Sequence, residues 1–147
     1  MEKTNLKWKR VNNGPINEPI LEYLEGIFDD ELAKGMRLRV AVGTDSQKSG
    51  KGYKFATVIL ILTEQSLGFE KDGTEIFKGN GAMIIGATFW EEMKASTRAK
   101  RHREIEVLNQ RMMLEVSKSI EVAYEIAPLL DLYGIKLEIH ADINPDP

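Results

Sequence analysis

The chain has 147 residues, 42% of them hydrophobic and 29% charged, with no cysteine, two histidines and a formal net charge of -3. One globular domain with one core follows from that balance. Without cysteine, disulfides, thiolate zinc sites and cysteine nucleophiles are excluded, so a metal would be held by carboxylates, histidine or water, which favours hard cations. The net charge excludes a global pull toward nucleic acid, so any such partner must be read from local clustering. No apolar run approaches the roughly 18 residues of a membrane span, and the first ten residues lack a secretory signal. The expected location is the cytoplasm.

Residues 1–16 are polar and end near the turn signal Asn12-Asn13-Gly14-Pro15, which reads as an arm ahead of a single domain over residues 17–147. Asn17 has the chemistry of a helix N-cap, with Glu18 and Pro19 in the first turn. Ile20, Leu24 and Ile27/Phe28 follow at helical spacing until Gly35. Residues 38–45 predict a strand with Leu38, Val40, Val42 and Thr44 on one face and Arg39, Ala41, Gly43 and Asp45 on the other. Turn-rich residues 48–52 join it to a second strand, residues 53–63, whose apolar centre reads as covered on both faces. Residues 64–81 carry four glycines and predict a long loop or a small extra hairpin, before a third strand over residues 82–90.

A basic run follows, with Lys94, Arg98, Lys100, Arg101 and Arg103 beside His102. Residues 104–127 then carry an apolar stripe through Ile105, Leu108, Met112, Val116, Ile120 and Ala123, a helix that Pro128 is expected to end. After Gly134, residues 135–143 alternate Leu137, Ile139 and Ala141 against Lys136, Glu138, His140 and Asp142, a fourth strand reached through the helix. A three-strand meander, a helix and a returning strand predict an α/β layout with a mixed sheet and helix on at least one face. If the fourth strand lies parallel to the first, Asp45 and Asp142 emerge together at carboxyl ends, where open α/β sheets bind ligands. On the helix, Glu104, Leu108, Arg111 and Glu115 share one flank of the apolar stripe.

Gly43-Thr44-Asp45-Ser46-Gln47 and His140-Ala141-Asp142-Ile143-Asn144, with Arg111 and Glu115 between them, resemble a bacterial ribonuclease-H-like family of the YkuK type, from about residue 37 onward. The resemblance implies a ribonuclease H-like fold in which Asp45, Glu115 and Asp142 gather Mg²⁺ or Mn²⁺ for catalysis, with Glu104 and Glu106 as alternatives for the helix position. In two-metal sites, ions about 3.5 to 4 Å apart activate water and stabilise the leaving oxygen. Proteins of that fold continue into further helices, a fifth strand and a late acid that do not follow Pro147 here, so the chain reads as truncated. Alternatively, it is a shortened form whose exposed sheet edge offers a route to homo-oligomers.

The implied activity is hydrolysis of RNA or DNA phosphodiesters. A non-catalytic nucleic-acid-binding or regulatory module is the rival reading, and a small phosphoester hydrolase acting on nucleotides is a third. Substrate contacts are expected from Ser46, Gln47, Arg98, Arg101, Arg111 and His140. Each residue also has a plainer reading: Asp45 as a turn acid bonding the amide of Ser46 or Gln47, Arg111 and Glu115 as a helix-surface ion pair, and His140 as a structural histidine. The basic run reads equally as a solvated segment, and Phe89 and Trp90 as core.

Overall fold

The computed structural model describes residues 6–10, 14–95 and 99–140. It is an α/β fold with a six-stranded mixed sheet and two helices: β1 (Lys9–Arg10), β2 (Gly14–Pro15), α1 (Ile20–Ala33), β3 (Arg37–Ser49), β4 (Gly52–Phe69), β5 (Glu75–Glu91), α2 (Lys100–Tyr133) and β6 (Lys136–His140). The strand order is β2-β1-β5-β4-β3-β6. β3, β4 and β5 form the antiparallel meander, and β6 returns through α2 to pair parallel to β3, with Gly43 opposite His140. That crossover brings the end of β6 beside Gly43, while β3 runs on past it to Ser49.

Both helices pack on one face. Leu24 and Phe28 of α1 and Val122, Ile126 and Leu130 of α2 join Val40, Val42, Ile59, Ile61 and Ile85 in a single buried cluster. Phe28 and Tyr133 meet edge to face at 5.5 Å, and the Tyr133 hydroxyl donates to Asp29 Oδ1 at 2.6 Å, tying α1 to α2. The opposite face departs from expectation. Ile59 and Ile61 are buried, whereas Val58, Leu60 and Leu62 are only half-buried, because no element among the described residues covers their side of the sheet.

The element boundaries also differ from the sequence reading. β3 does not end at Asp45 but runs on to Ser49, so Asp45 sits within the β3–β4 ladder opposite Ala56. Asn17 is not the cap of α1: Pro19 holds that position with ψ 143°, and its carbonyl accepts the first helical bond from Tyr23 N at 3.0 Å. The arm is part of the sheet, since β1 pairs with β5 and Trp8 enters the core. Residues 64–81 are no loop, because β4 and β5 continue to a turn at residues 70–74 and absorb irregularities near Thr63 and Ser66 as shifts of register. Pro128 does not end α2. It lacks one amide, but the helix runs on to Gly134, whose left-handed φ of 67° closes it with bonds from Gly134 N to Asp131 O and from Ile135 N to Leu130 O.

The β3–β4 turn lies at the carboxyl end of β3 and is tight. Gly50 has φ 62° at its first central position, as a type II′ hairpin requires. Trp90 is not core: it is 50% exposed and donates its indole N–H to Ser49 O at 3.0 Å, with its ring close to Gly52. A Cβ on Gly52 would fall 2.5 Å from both Glu91 O and the Trp90 ring. Gly52→Ala is therefore expected to cost about 1–3 kcal/mol through overpacking. Urea unfolding should show a lower midpoint at unchanged slope; a midpoint equal to that of the parent would mean that the turn is not set by this contact.

Candidate functional site

Burial alternates along β3, with Leu38, Val40, Val42, Thr44 and Ser46 buried toward the helices while Asp45 is exposed. Just past the pairing of Gly43 with His140, a chain of polar contacts starts on Asp45. Its Oδ1 accepts the Ser46 amide at 2.9 Å, the bond the plainer reading gave it, but Asp45 sits in mid-strand opposite Ala56 and not at a strand-end turn. The Ser46 hydroxyl donates to Glu115 Oε2 at 2.5 Å and accepts Arg111 Nε at 3.2 Å, while Arg111 Nη2 donates to Ser46 O at 3.1 Å. The guanidinium also lies 4.2 Å from the centre of the Tyr53 ring. One turn farther along α2, Ser119 Oγ donates to Thr44 Oγ1 at 2.9 Å, and Thr44 shares a 3.0 Å hydroxyl contact with Thr57 across the hairpin. Residues 111, 115 and 119 thus use one face of α2 to grip consecutive inward residues of β3.

On the open face, Asp45 and His140 border a shallow cavity of about 280 Å³ floored by Ala41, Gly43, Ala56, Val58 and Leu60. His140 Nε2 sits 3.3 Å from Glu138 Oε2, and Glu138 Oε1 takes a 2.7 Å ion-paired bond from Arg39. A second depression of about 380 Å³ lies between the β3–β4 turn and the first part of α2, lined by Lys48, Tyr53, Arg103, Glu104, Val107, Leu108 and Arg111.

Among the expected site residues, the structure brings together Asp45, Ser46, Arg111 and Glu115. Asp45 and Glu115 reach one another through Ser46, from opposite sides of β3, and among the described residues no three His, Asp or Glu side chains converge. Asp142 and Arg98 lie outside the described residues. His140 shares the open face with Asp45. Gln47 and Arg101 are exposed, and Glu104 borders the groove rather than approaching Asp45. Sequence reading missed Lys48, Tyr53 and Arg103 as a group. The hairpin signal held the clue, because a tight turn after Ser49 pairs Lys48 with Tyr53.

No protein-family model, curated protein or solved structure matches this chain. No helix among the described residues is long and apolar enough to cross a membrane.

The hydrogen bond from Arg39, followed by that from His140, holds the Glu138 carboxyl below its ordinary value of 4.5. The same bond to Glu138 is the main cause that raises the Arg39 guanidinium. A carboxyl depressed in the folded state stabilises the fold above its unfolded value and loses that contribution as pH falls through the folded one. Glu138→Gln removes the contribution. The gap in melting temperature between parent and variant should therefore be widest near neutral pH and close as pH falls below 4.5. A gap that stays constant into strong acid would contradict the assignment.

Proposed function

We propose that this chain is a divalent-metal-dependent nuclease domain with a ribonuclease H-like fold, hydrolysing nucleic-acid phosphodiesters. The observation that carries the reading is the polar chain within β3, where Asp45, Ser46 and Glu115 are linked just past the end of the parallel pairing with β6. Two carboxylates are oxygen donors of the kind that Mg²⁺ and Mn²⁺ take, although among the described residues Asp45 and Glu115 come from opposite sides of β3 and are linked through Ser46 without converging. Asp45 and Glu115 would hold it, with Asp142 as the third ligand beyond the end of β6. When bound, such ions activate water and stabilise the leaving oxygen.

The chain's own residues set the stage for that chemistry. Ser46 fixes Glu115 by a hydrogen bond, and Arg111 fixes Ser46 by gripping both its hydroxyl and its carbonyl. Arg111 is thus a positioning residue that acts on the carboxylate through Ser46. His140, exposed on the same face as Asp45, can hold or move a proton near it.

One observation favours the second reading, a non-catalytic nucleic-acid-binding or regulatory module: Glu115 is already engaged by Ser46, and no three acids converge among the described residues. The two readings separate in the protein's full natural chain. A nuclease of this kind should gain about 5–10 °C in melting temperature at a hundredfold excess of Mn²⁺ over Kd. Asp45→Asn and Asp142→Asn should each remove that gain and the hydrolysis of RNA, DNA or hybrid oligonucleotides. A parent chain that neither shifts with Mn²⁺ nor cleaves any of these would leave the binding module as the surviving reading.

A further inference from the structure

The groove between the β3–β4 turn and α2 is separate from the open-face cavity, and its chemistry is opposite in sign. The open-face cavity is bordered by Asp45, whereas the groove gathers Lys48, Arg103 and Arg111 against one carboxylate, Glu104, on a chain whose net charge is -3. Two of those cations are drawn to the same ring: Lys48 Nζ lies 5.0 Å and the Arg111 guanidinium 4.2 Å from the centre of Tyr53. Like charges repel, so holding two cations at one ring keeps a positive potential in place that a passing anion can use. Arg111 commits two of its donors to Ser46, and a guanidinium has five, so donors remain to face the groove.

We propose that this groove binds the phosphodiester backbone of a single nucleic-acid strand, with Lys48 and Arg103 contacting phosphates and Arg111 linking the bound strand to the Ser46–Glu115 contact. At about 380 Å³ the groove is pocket-sized. Three cations in that space suit a short run of one strand better than the two broad backbones of a duplex. Its α2 wall runs from Arg103 to Arg111, so a strand lying along that wall runs toward Glu115, one turn beyond Arg111. The assignment deepens the nuclease reading by naming where its substrate lies, but it rests on the groove's own charge and shape, and binding there needs no metal.

Fluorescence anisotropy with a labelled 12-nucleotide DNA or RNA strand, in EDTA and over a range of salt, tests it on the intact chain. For single strands each neutralised phosphate adds about 0.7 to the slope of log affinity against log salt. Lys48→Ala and Arg103→Ala are each expected to weaken binding several-fold and lower that slope by about 0.7, while Arg103→Lys should restore most of the slope. Both side chains are exposed, and an unchanged melting temperature would certify that each variant is folded.

Affinity and slope that stay at parental values in both alanine variants would overturn the groove assignment. So would a duplex binding more tightly than the strand, or no binding of the strand by the parent chain. Lys136→Ala, an exposed cation on β6 outside the groove, should leave binding in EDTA intact. Strand binding lost in the groove variants without any metal-dependent cleavage by the parent would sustain the groove and dismiss the nuclease reading; cleavage that persists in the groove variants with unaltered KM would do the reverse.

Discussion

A β-strand turns successive side chains to opposite faces, and in the second half of β3 that rule sends Asp45 outward and Ser46 inward. The rest of the site depends on that division. Inward, Thr44 and Ser46 put hydroxyls under α2, where a buried hydroxyl without a partner costs about 1–3 kcal/mol. The helix answers with Ser119 and Glu115, four residues apart and therefore on one face. A slide of α2 by one residue would leave these groups unmatched, so the hydroxyl contacts fix the helix against the strand more sharply than apolar packing would. Arg111, four residues earlier on the same face, completes the alignment and carries it to the rim of the sheet.

The same division gives the molecule two unlike surfaces at one end. The helix side offers a cationic groove, and the open side offers an exposed carboxylate above an apolar floor. Ser46 spans them, since its amide serves Asp45 and its hydroxyl serves Glu115. A change in how Ser46 is held would be felt by both carboxylates at once. That coupling is built into two adjacent residues and needs no long network.

Much of this is legible in the order of the residues. Alternation in residues 38–45 separates Asp45 from the core face, and the meander, helix and returning strand imply the parallel pairing of β3 with β6. The same alternation also carries a warning about a compact three-acid cluster, because Asp45 falls opposite the helix face while Glu115 comes from the helix. Only the side-chain bonds of Ser46 reveal how the two are connected. Pro128 misleads because a missing amide is a local cost, whereas the contacts of Leu130 and Tyr133 that carry α2 onward are tertiary. The glycines of residues 64–81 mislead in the same way: read locally they break a strand, but in a long hairpin they absorb a register shift. The groove is hidden because its cations come from segments more than fifty residues apart.

The parallel pairing also has a consequence for the order of assembly. Thr44 and Thr57 meet across 13 residues of chain, but Arg39 reaches Glu138 across 99. Loop-closure entropy makes the longer contact costlier by about 2 kcal/mol, so the hairpins have the advantage in forming early and β6 docks onto a meander already in place. Among the described residues β6 is also a five-residue strand paired on one side only. The wall that carries His140 therefore rests on contacts distant in sequence, and transient opening at this end of the molecule would begin there.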